Sequence, residues 1–419
     1  MEIERAKGTK EVDQKQKILM NYIVEVIKKN FELYGFLPLE TPTLQRYDVL
    51  ASKYAGGAEI LKETFKLNDQ GNRDLALRYD LTVPLCIYVA LNPTVKLPFK
   101  RYEIGKVFRD GPVSVERYRE FWQCDADIVG SANILSDVEI INLGLKIFNE
   151  LKLDVQFKVN NRKILDSVLE SAGIPKEKET TSVLIIDKLE KIGVEGVKKE
   201  LREEKLTDVQ IEKLLRLVSV EGNNYEKLEF LKTKLNNKEG INEMEELAKY
   251  VPEVYFDPSL ARGLSYYTGI IFEVKLKNSE VKSTITSGGR YDNIIGNFIG
   301  NNQKYPAIGI SFGLDRIELA IKERKVEITK AYVIPIKQIE KSMEIVKELR
   351  DNGINSDVDL IGRSISKNLE YANTLGIPYV VIIGENEVKE NKYTLRDMTT
   401  GKEEKLSVNE LVKKLKNDK

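Results

Sequence analysis

The sequence predicts a mixed α/β chain of two or three domains, and three stretches carry that prediction. Residues 101–130 (RYEIGKVFRDGPVSVERYREFWQCDADIVG) read as two strands joined by a polar loop. From about residue 165 to 250 the composition shifts to charged, helical sequence. Beyond a charged linker at 322–330, strand and helix alternate, the pattern of a small parallel βαβ domain. A length of 419 residues is itself more than one ordinary domain fills.

Residues 13–34 place Ile18, Leu19, Tyr22, Ile23, Val26, Ile27, Phe31 and Tyr34 at three- and four-residue spacing, which predicts an amphipathic helix stopped by Gly35. The segment FLPLETPTLQ that follows is extended around Pro38 and Pro42. In LALRYDLTVPLCIYVA (75–90), Asp80 and Thr82 stand just before a helix whose start Pro84 marks. A carboxylate beside a hydroxyl suits an ammonium group, and Thr82 is equally placed to cap the helix. Arg78 reads as a structural ion-pair partner.

In the hairpin, Arg101, Glu103, Gly105, Val107 and Arg109 share one face of the first strand. Arg117, Arg119, Phe121, Gln123, Asp125 and Asp127 share one face of the second, with Tyr118, Trp122, Cys124, Ala126 and Ile128 opposite. A polar row of this kind usually faces bulk water. Three features point to a cleft instead. The row is dense in Arg forks suited to phosphate. It carries Arg at one end and Asp at the other, as a ligand with an anionic and a cationic end requires. It also continues into the loop, where Arg109 can clamp what the strand presents.

Further along, 134–151 predicts a helix and VQFKVN a strand, followed by Asn160, Asn161 and Arg162. Thr207–Gln210 reads as a capping box before QIEKLLRLV. Order returns at DPSLARGLSYYTGIIFEV (257–274), where an Arg-Gly pair opens a segment with two tyrosines. In TSGGRYDNIIGNFIG (286–300) Gly288 and Gly289 can bring backbone close to a ligand, with Arg290 and Tyr291 nearby. PAIGISFGLDRIELAI (306–321) is a strand of small residues running into a helix that opens at Gly313–Arg316, where an anion is favoured.

Composition bounds the chemistry. Lys+Arg and Asp+Glu balance at 66 each, so no global basic footprint marks a nucleic-acid binder, although a local patch suffices. Charged residues are 32% and hydrophobic ones 42% of the chain, as in soluble globular proteins. Cys86 and Cys124 match no metal-ligand spacing and suit a reducing compartment. The first residues lack an apolar signal core, and no apolar run reaches membrane-spanning length, so a cytoplasmic protein with no membrane partner is expected. Histidine is absent altogether, which excludes His-based acid–base catalysis and most zinc sites. The chemistry then rests on positioning, charge stabilisation and Mg²⁺.

The run Arg117-Tyr118-Arg119-Glu120-Phe121, with Gln123 and Asp127 after it, resembles motif 2 of class II aminoacyl-tRNA synthetases, specifically the histidyl-tRNA synthetase family. Arg262-Gly263-Leu264, Tyr266-Tyr267-Thr268-Gly269 and Phe272-Glu273 resemble the signature peculiar to that family, with Ser265 where many members have Asp. Residues 13–45 are similar to motif 1, 306–321 to motif 3, and 330–419 to a class IIa anticodon-binding domain. Gly288-Gly289-Arg290-Tyr291-Asp292 resembles a turn of the family, and the resemblance implies a turn there. The resemblance implies an antiparallel-sheet α+β catalytic core in two parts (1–160 and 251–325), a helical insertion (161–250) and a C-terminal α/β anticodon-binding domain (330–419).

The same resemblance implies activation of L-histidine by ATP with Mg²⁺ and transfer to tRNA(His), by a homodimer. Arg109, Arg262 and Arg316 would be catalytic. Asp80, Thr82, Gln123, Asp127, Arg262, Tyr266 and Tyr267 would bind histidine, with Asp127 on the imidazole and Asp80 and Gln123 at the amino group. Arg109, Arg117, Tyr118, Arg119, Glu120, Phe121 and Arg316 would hold ATP. A histidine-free chain can be made while charged histidyl-tRNA is scarce; composition drift or sequence design explains the absence equally well. The alternative within the same resemblance is a non-catalytic paralogue that regulates ATP phosphoribosyltransferase.

Overall fold

The computed structural model describes residues 3–53, 61–262, 266–301, 303–321 and 328–417. Two compact units form, Met1–Lys322 and Glu323–Lys419. Most of the linker expected at 322–330 lies outside the described residues, as do Gly263, Leu264 and Ser265.

In the first unit, Gln14–Leu33 is the expected amphipathic helix. Asp13 caps it by accepting from the Gln16 N–H at 2.8 Å, and Met20, Ile23, Ile27 and Phe31 are buried against the sheet. That sheet has eight strands among the described residues, in the order 37–38, 99–108, 120–129, 307–313, 286–290, 270–276, 155–161 and 255–256. Every pairing is antiparallel except the two at the edges. A short three-stranded sheet (44–46, 74–77, 66–68) and the helix Thr82–Leu91 stand beside it.

The alternation expected of the second hairpin strand is present: Cys124, Ala126 and Ile128 enter the core while Phe121, Gln123, Asp125 and Asp127 face a cavity. The strand is shorter than expected. It spans Glu120–Val129, so Arg117 and Arg119 belong to the connecting loop rather than to a strand face. The Gly288-Gly289 turn is also corrected, because Thr286–Arg290 is a sheet strand. A Cβ on Gly288 would run into the Gly309 carbonyl and the Phe272 ring; one on Gly289, at φ +156°, would sit 2.7 Å from the Ile270 carbonyl. These glycines let strands and the Tyr267 ring close up, and both also line that cavity.

Residues 162–250 are helical, from Arg162–Ala172 to Glu239–Tyr250, and the Thr207–Gln210 capping box is present. Their apolar faces do not form a core of their own: Leu201, Leu214, Leu231 and Met244 belong to one buried cluster with Phe157, Phe272 and Phe312 of the sheet.

The second unit has a five-stranded sheet in the order 356–358, 331–335, 379–383, 393–397, 403–406. Its first three strands are parallel, with helices Ile339–Asp351 and Ile365–Thr374 as crossovers, as expected. The last two add an antiparallel hairpin that the strand–helix alternation did not foreshadow. Among the described residues no helix is long and apolar enough to cross a membrane.

Candidate active site

The cavity, roughly 450 Å³, lies on the open face of the central strands. Arg109, Arg262 and Arg316 reach it from three elements. Arg109 follows the first hairpin strand, Arg262 precedes the strand Ile270–Leu276, and Arg316 sits in the helix Leu314–Ala320. Asp80, Thr82, Gln123, Asp127, Tyr266, Tyr267, Arg117, Tyr118 and Phe121 also line it.

Two expected members do not. Glu120 alternates to the face opposite Phe121 and forms an ion pair with Lys106. Arg119 turns toward the loop, 3.1 Å from Asp110 and 3.4 Å from the Gly111 carbonyl, while its N–H donates to Gly8 at 2.8 Å. Arg290 is likewise structural: it forms a buried two-point ion pair with Asp137 and donates to the Ser131 carbonyl at 2.9 Å.

At one end of the cavity the charges are crowded and positive. The Arg109 guanidinium stacks between the rings of Tyr79 (4.2 Å) and Phe121 (5.0 Å). Arg316 donates from Nη1 to the Thr284 carbonyl at 2.6 Å and from Nε to the Glu116 carbonyl at 3.3 Å. Burial first, then the neighbouring charges of Arg109 and Arg117, depress the Arg316 pKa, with Glu116 opposing. Guanidinium groups that raise one another's energy in this way are relieved by a polyanion. The helix carrying Arg316 spans only Leu314–Ala320, so side-chain charge rather than the helix dipole supplies the attraction.

At the other end the carboxylates are answered. The register sets Arg101 opposite Asp127. Arg101, fully buried, lies 2.9 Å from Asp127 and donates to the Leu81 carbonyl at 2.8 Å. Tyr291 donates its O–H to Asp127 at 2.6 Å. The expected separation of Arg and Asp therefore holds between the loop, which carries Arg117, and the far end of the strand, but not across the hairpin, where Arg101 pairs with Asp127. Burial pushes the Asp127 carboxyl up, and Arg101 and the Tyr291 hydrogen bond draw it back. Asp125, also on the cavity, is pushed well up by burial and by Asp127. Gly309 makes room for this arrangement: a Cβ there would sit 2.8 Å from the Asp127 Cγ.

Asp80 accepts from the Val83 N–H at 2.9 Å and so caps the helix Thr82–Leu91, the role expected of Thr82. Gln123 donates to Ser311 at 2.7 Å, and its Oε1 is buried without a partner among the described residues, an acceptor suited to an ammonium. The Tyr266 and Tyr267 rings meet at 4.8 Å, and Tyr266 stands edge-on to Tyr291 at 6.3 Å.

Arg262 holds a left-handed backbone (φ +48°), which disfavours a residue with a Cβ by about 1–2 kcal/mol. Buried Asn160 pins the approach by donating to the Pro258 (3.1 Å) and Leu260 (2.8 Å) carbonyls. The Arg262 N–H donates to Asp187, which comes from the helical stretch. The Arg262 side chain donates to Glu273 at 2.9 Å and lies 5.8 Å over the Tyr267 ring.

Sequence reasoning missed Glu63, which binds Arg117 through both oxygens at 2.7 and 2.8 Å and accepts from the Tyr79 O–H at 3.1 Å. It also missed the Thr284 and Ser311 contacts. Glu63 lies in a stretch with no period or motif, 54 residues from Arg117. Ser311 was findable, because every second residue of 307–313 shares a face.

Comparison with known proteins follows the same lines. A family model described as histidyl-tRNA synthetase matches residues 8–317, and one described as an anticodon-binding domain matches 330–418. A Bacillus cereus protein named histidine–tRNA ligase 1 is 42% identical, covering 98% of this chain and 97% of its own. The Clostridium tetani histidine–tRNA ligase is 39% identical over 98% of this chain and 97% of its own. Among solved structures, histidyl-tRNA synthetase from Nostoc sp. PCC 7120 is 30% identical with a TM-score of 0.86, covering 100% of this chain and 99% of that one. A Bacillus halodurans protein titled ATP phosphoribosyltransferase regulatory subunit/histidyl-tRNA synthetase shares the fold at 20% identity and TM-score 0.74, over 89% of this chain and 97% of that one.

Proposed function

The chain belongs to the histidyl-tRNA synthetase family, and from that premise we propose that its cavity joins L-histidine to AMP and passes the histidyl group to tRNA(His). One observation carries the reading: Arg109, Arg262 and Arg316 line the same cavity as Asp80, Gln123 and Asp127. Phe121, on which Arg109 rests, and Asp127 lie on one strand, roughly 20 Å apart at the usual rise. That span lets the aminoacyl and nucleotide ends of an adenylate lie apart along one strand.

A carboxylate oxygen of histidine attacks the α-phosphorus of ATP, and the bond to the β,γ-diphosphate breaks, giving histidyl-adenylate and pyrophosphate. The nucleophile is already an anion, so the step needs no base, and a protein without histidine loses nothing by it. Catalysis is then alignment and neutralisation. Arg262 meets the carboxylate and α-phosphate, Arg109 clamps the nucleotide against Phe121, and Arg316 with Arg117 answers the leaving diphosphate. Asp80 and the Gln123 Oε1 receive the α-ammonium. Asp127, fixed by Arg101 and Tyr291, accepts from the imidazole, with Tyr266 and Tyr267 as walls. A terminal ribose hydroxyl of tRNA next attacks the acyl carbon, releasing AMP.

Mg²⁺ fits this site as a nucleotide-borne ion. Among the described residues no three His, Cys, Asp or Glu are grouped to hold a metal, but an ion carried on phosphates needs only one or two carboxylates, and Glu116 lines the cavity. When bound, the ion neutralises phosphate charge.

We place the protein in the cytoplasm as a homodimer with the helical residues 161–250 as an insertion. Sedimentation at micromolar concentration tests the dimer. The regulatory alternative is supported only by a shared fold. Histidine-dependent ATP–pyrophosphate exchange, followed by acylation of tRNA(His), is the deciding experiment; absence of exchange refutes the proposal.

A further inference from the structure

We propose that Glu273 is a positioning residue which, through Thr284, holds Arg262 and Arg316 in register with each other. The two arginines stand on separate elements, 54 positions apart in the chain, and share no backbone pairing that fixes their guanidinium groups. A line of three hydrogen bonds joins them. Arg262 Nη1 donates to Glu273 Oε1 at 2.9 Å. Thr284 Oγ1 donates to Glu273 Oε2 at 2.9 Å. The Thr284 carbonyl accepts from Arg316 Nη1 at 2.6 Å. All four residues line the cavity.

Glu273 itself is rigidly held. It sits mid-strand between fully buried Phe272 and Val274, paired with Ser287 on one side and Lys158 on the other. Lys158 does not neutralise it, since that side chain is engaged with Glu190 and Asp257. The carboxylate therefore faces the site where a polyanion binds. By charge alone it opposes ATP; by geometry it fixes the two cations that the transition state needs. The opposition and the benefit act on different kinetic constants, and that separates this role from a merely structural one.

The inference rests on the adenylation reading above, and pyrophosphate exchange tests it on the full chain. In Glu273→Ala, kcat is expected to fall roughly 30- to 100-fold, the scale of an ångström-sized misplacement, while the ATP KM stays level or drops. Glu273→Gln, which keeps an acceptor for Arg262 and a polar contact for Thr284, should recover kcat to within about fivefold of wild type. Thr284→Val, which keeps the carbonyl and loses only the hydroxyl, should lower kcat about tenfold. The double variant should be no worse than Glu273→Ala alone, because both cut the same line.

A raised ATP KM, a Glu273→Gln enzyme as impaired as Glu273→Ala, or additive losses in the double variant would each overturn the proposal. If Glu273→Ala fails to fold, the Thr284→Val result decides alone. Wild type without exchange would fail the adenylation reading; an active wild type with an unimpaired Glu273→Ala fails only this one.

Discussion

Asp127→Asn tests the amino-acid end of the cavity. The substitution keeps the shape of the side chain and an oxygen for the Tyr291 hydroxyl, now 2.6 Å away, but removes the charge. In the proposed complex the carboxylate accepts from the imidazole, and a hydrogen bond to a charged group contributes about 1.5–3 kcal/mol, or roughly 10- to 150-fold in affinity. Arg101 already lies 2.9 Å from the same carboxylate and draws on its charge. The expectation therefore falls in the lower half, roughly 10- to 50-fold on the histidine KM. In the same proposed complex ATP is placed along the strand toward Phe121, so its KM should move less than about threefold. Pyrophosphate exchange, titrated with each substrate at saturation of the other, reads both. Equal rises in the two KM values, or an unchanged histidine KM, would refute the assignment. Urea unfolding of the same variant checks that Arg101, left with Glu103 at 3.6 Å and the Leu81 carbonyl, does not unfold the sheet.

Three further outcomes follow from the geometry. Gly309→Ala puts a methyl against Asp127; it should raise the histidine KM about tenfold with little change in the ATP KM, and an unaltered histidine KM would mean that Asp127 does not touch the substrate. Arg316→Gln should lower the exchange rate at least 100-fold while histidine binding, measured by calorimetry without ATP, stays within about twofold. Asp137 is buried, and burial lifts its carboxyl to about 6 despite Arg290. Because the folded pKa exceeds the unfolded one, the fold binds the extra proton between about pH 4 and 6, and Asp137's contribution to stability falls as pH rises through that window. Urea midpoints should show wild type losing up to ~3 kcal/mol relative to Asp137→Asn across it; parallel pH profiles would contradict this.

Local patterns in the chain survive folding; partners distant in sequence do not announce themselves. The alternation of Cys124, Ala126 and Ile128 against Gln123, Asp125 and Asp127, the first helix with its apolar stripe, and the Thr207 capping box all depend on neighbours within four residues. Register across the long loop at 109–119 has no such local signal, so the Arg101–Asp127 pair was hidden. The same applies to Glu63 with Arg117 and to Arg290 with Asp137, 153 positions apart. Gly288-Gly289 misled because the resemblance implied a turn, yet here they admit close-packed strands. At Asp80 and Thr82 both residues can cap a helix, and only the backbone path decides which does. Gathering Arg109, Arg262 and Arg316 from separate segments relied on motif resemblance, since no periodicity links them.

The buried cluster that runs without a break from the first helix through 162–250 to the strands has an engineering corollary. Those helices are not a detachable cassette. Lys227 holds the Phe256 carbonyl at 2.9 Å, Asn224 holds the main chain at Val254 and Phe256, and Asp187 receives the Arg262 N–H. Excising them would bare apolar strand faces and unclamp the loop that presents the Arg262 guanidinium to the cavity, so a minimised version of this protein has to keep them or replace their inner surface.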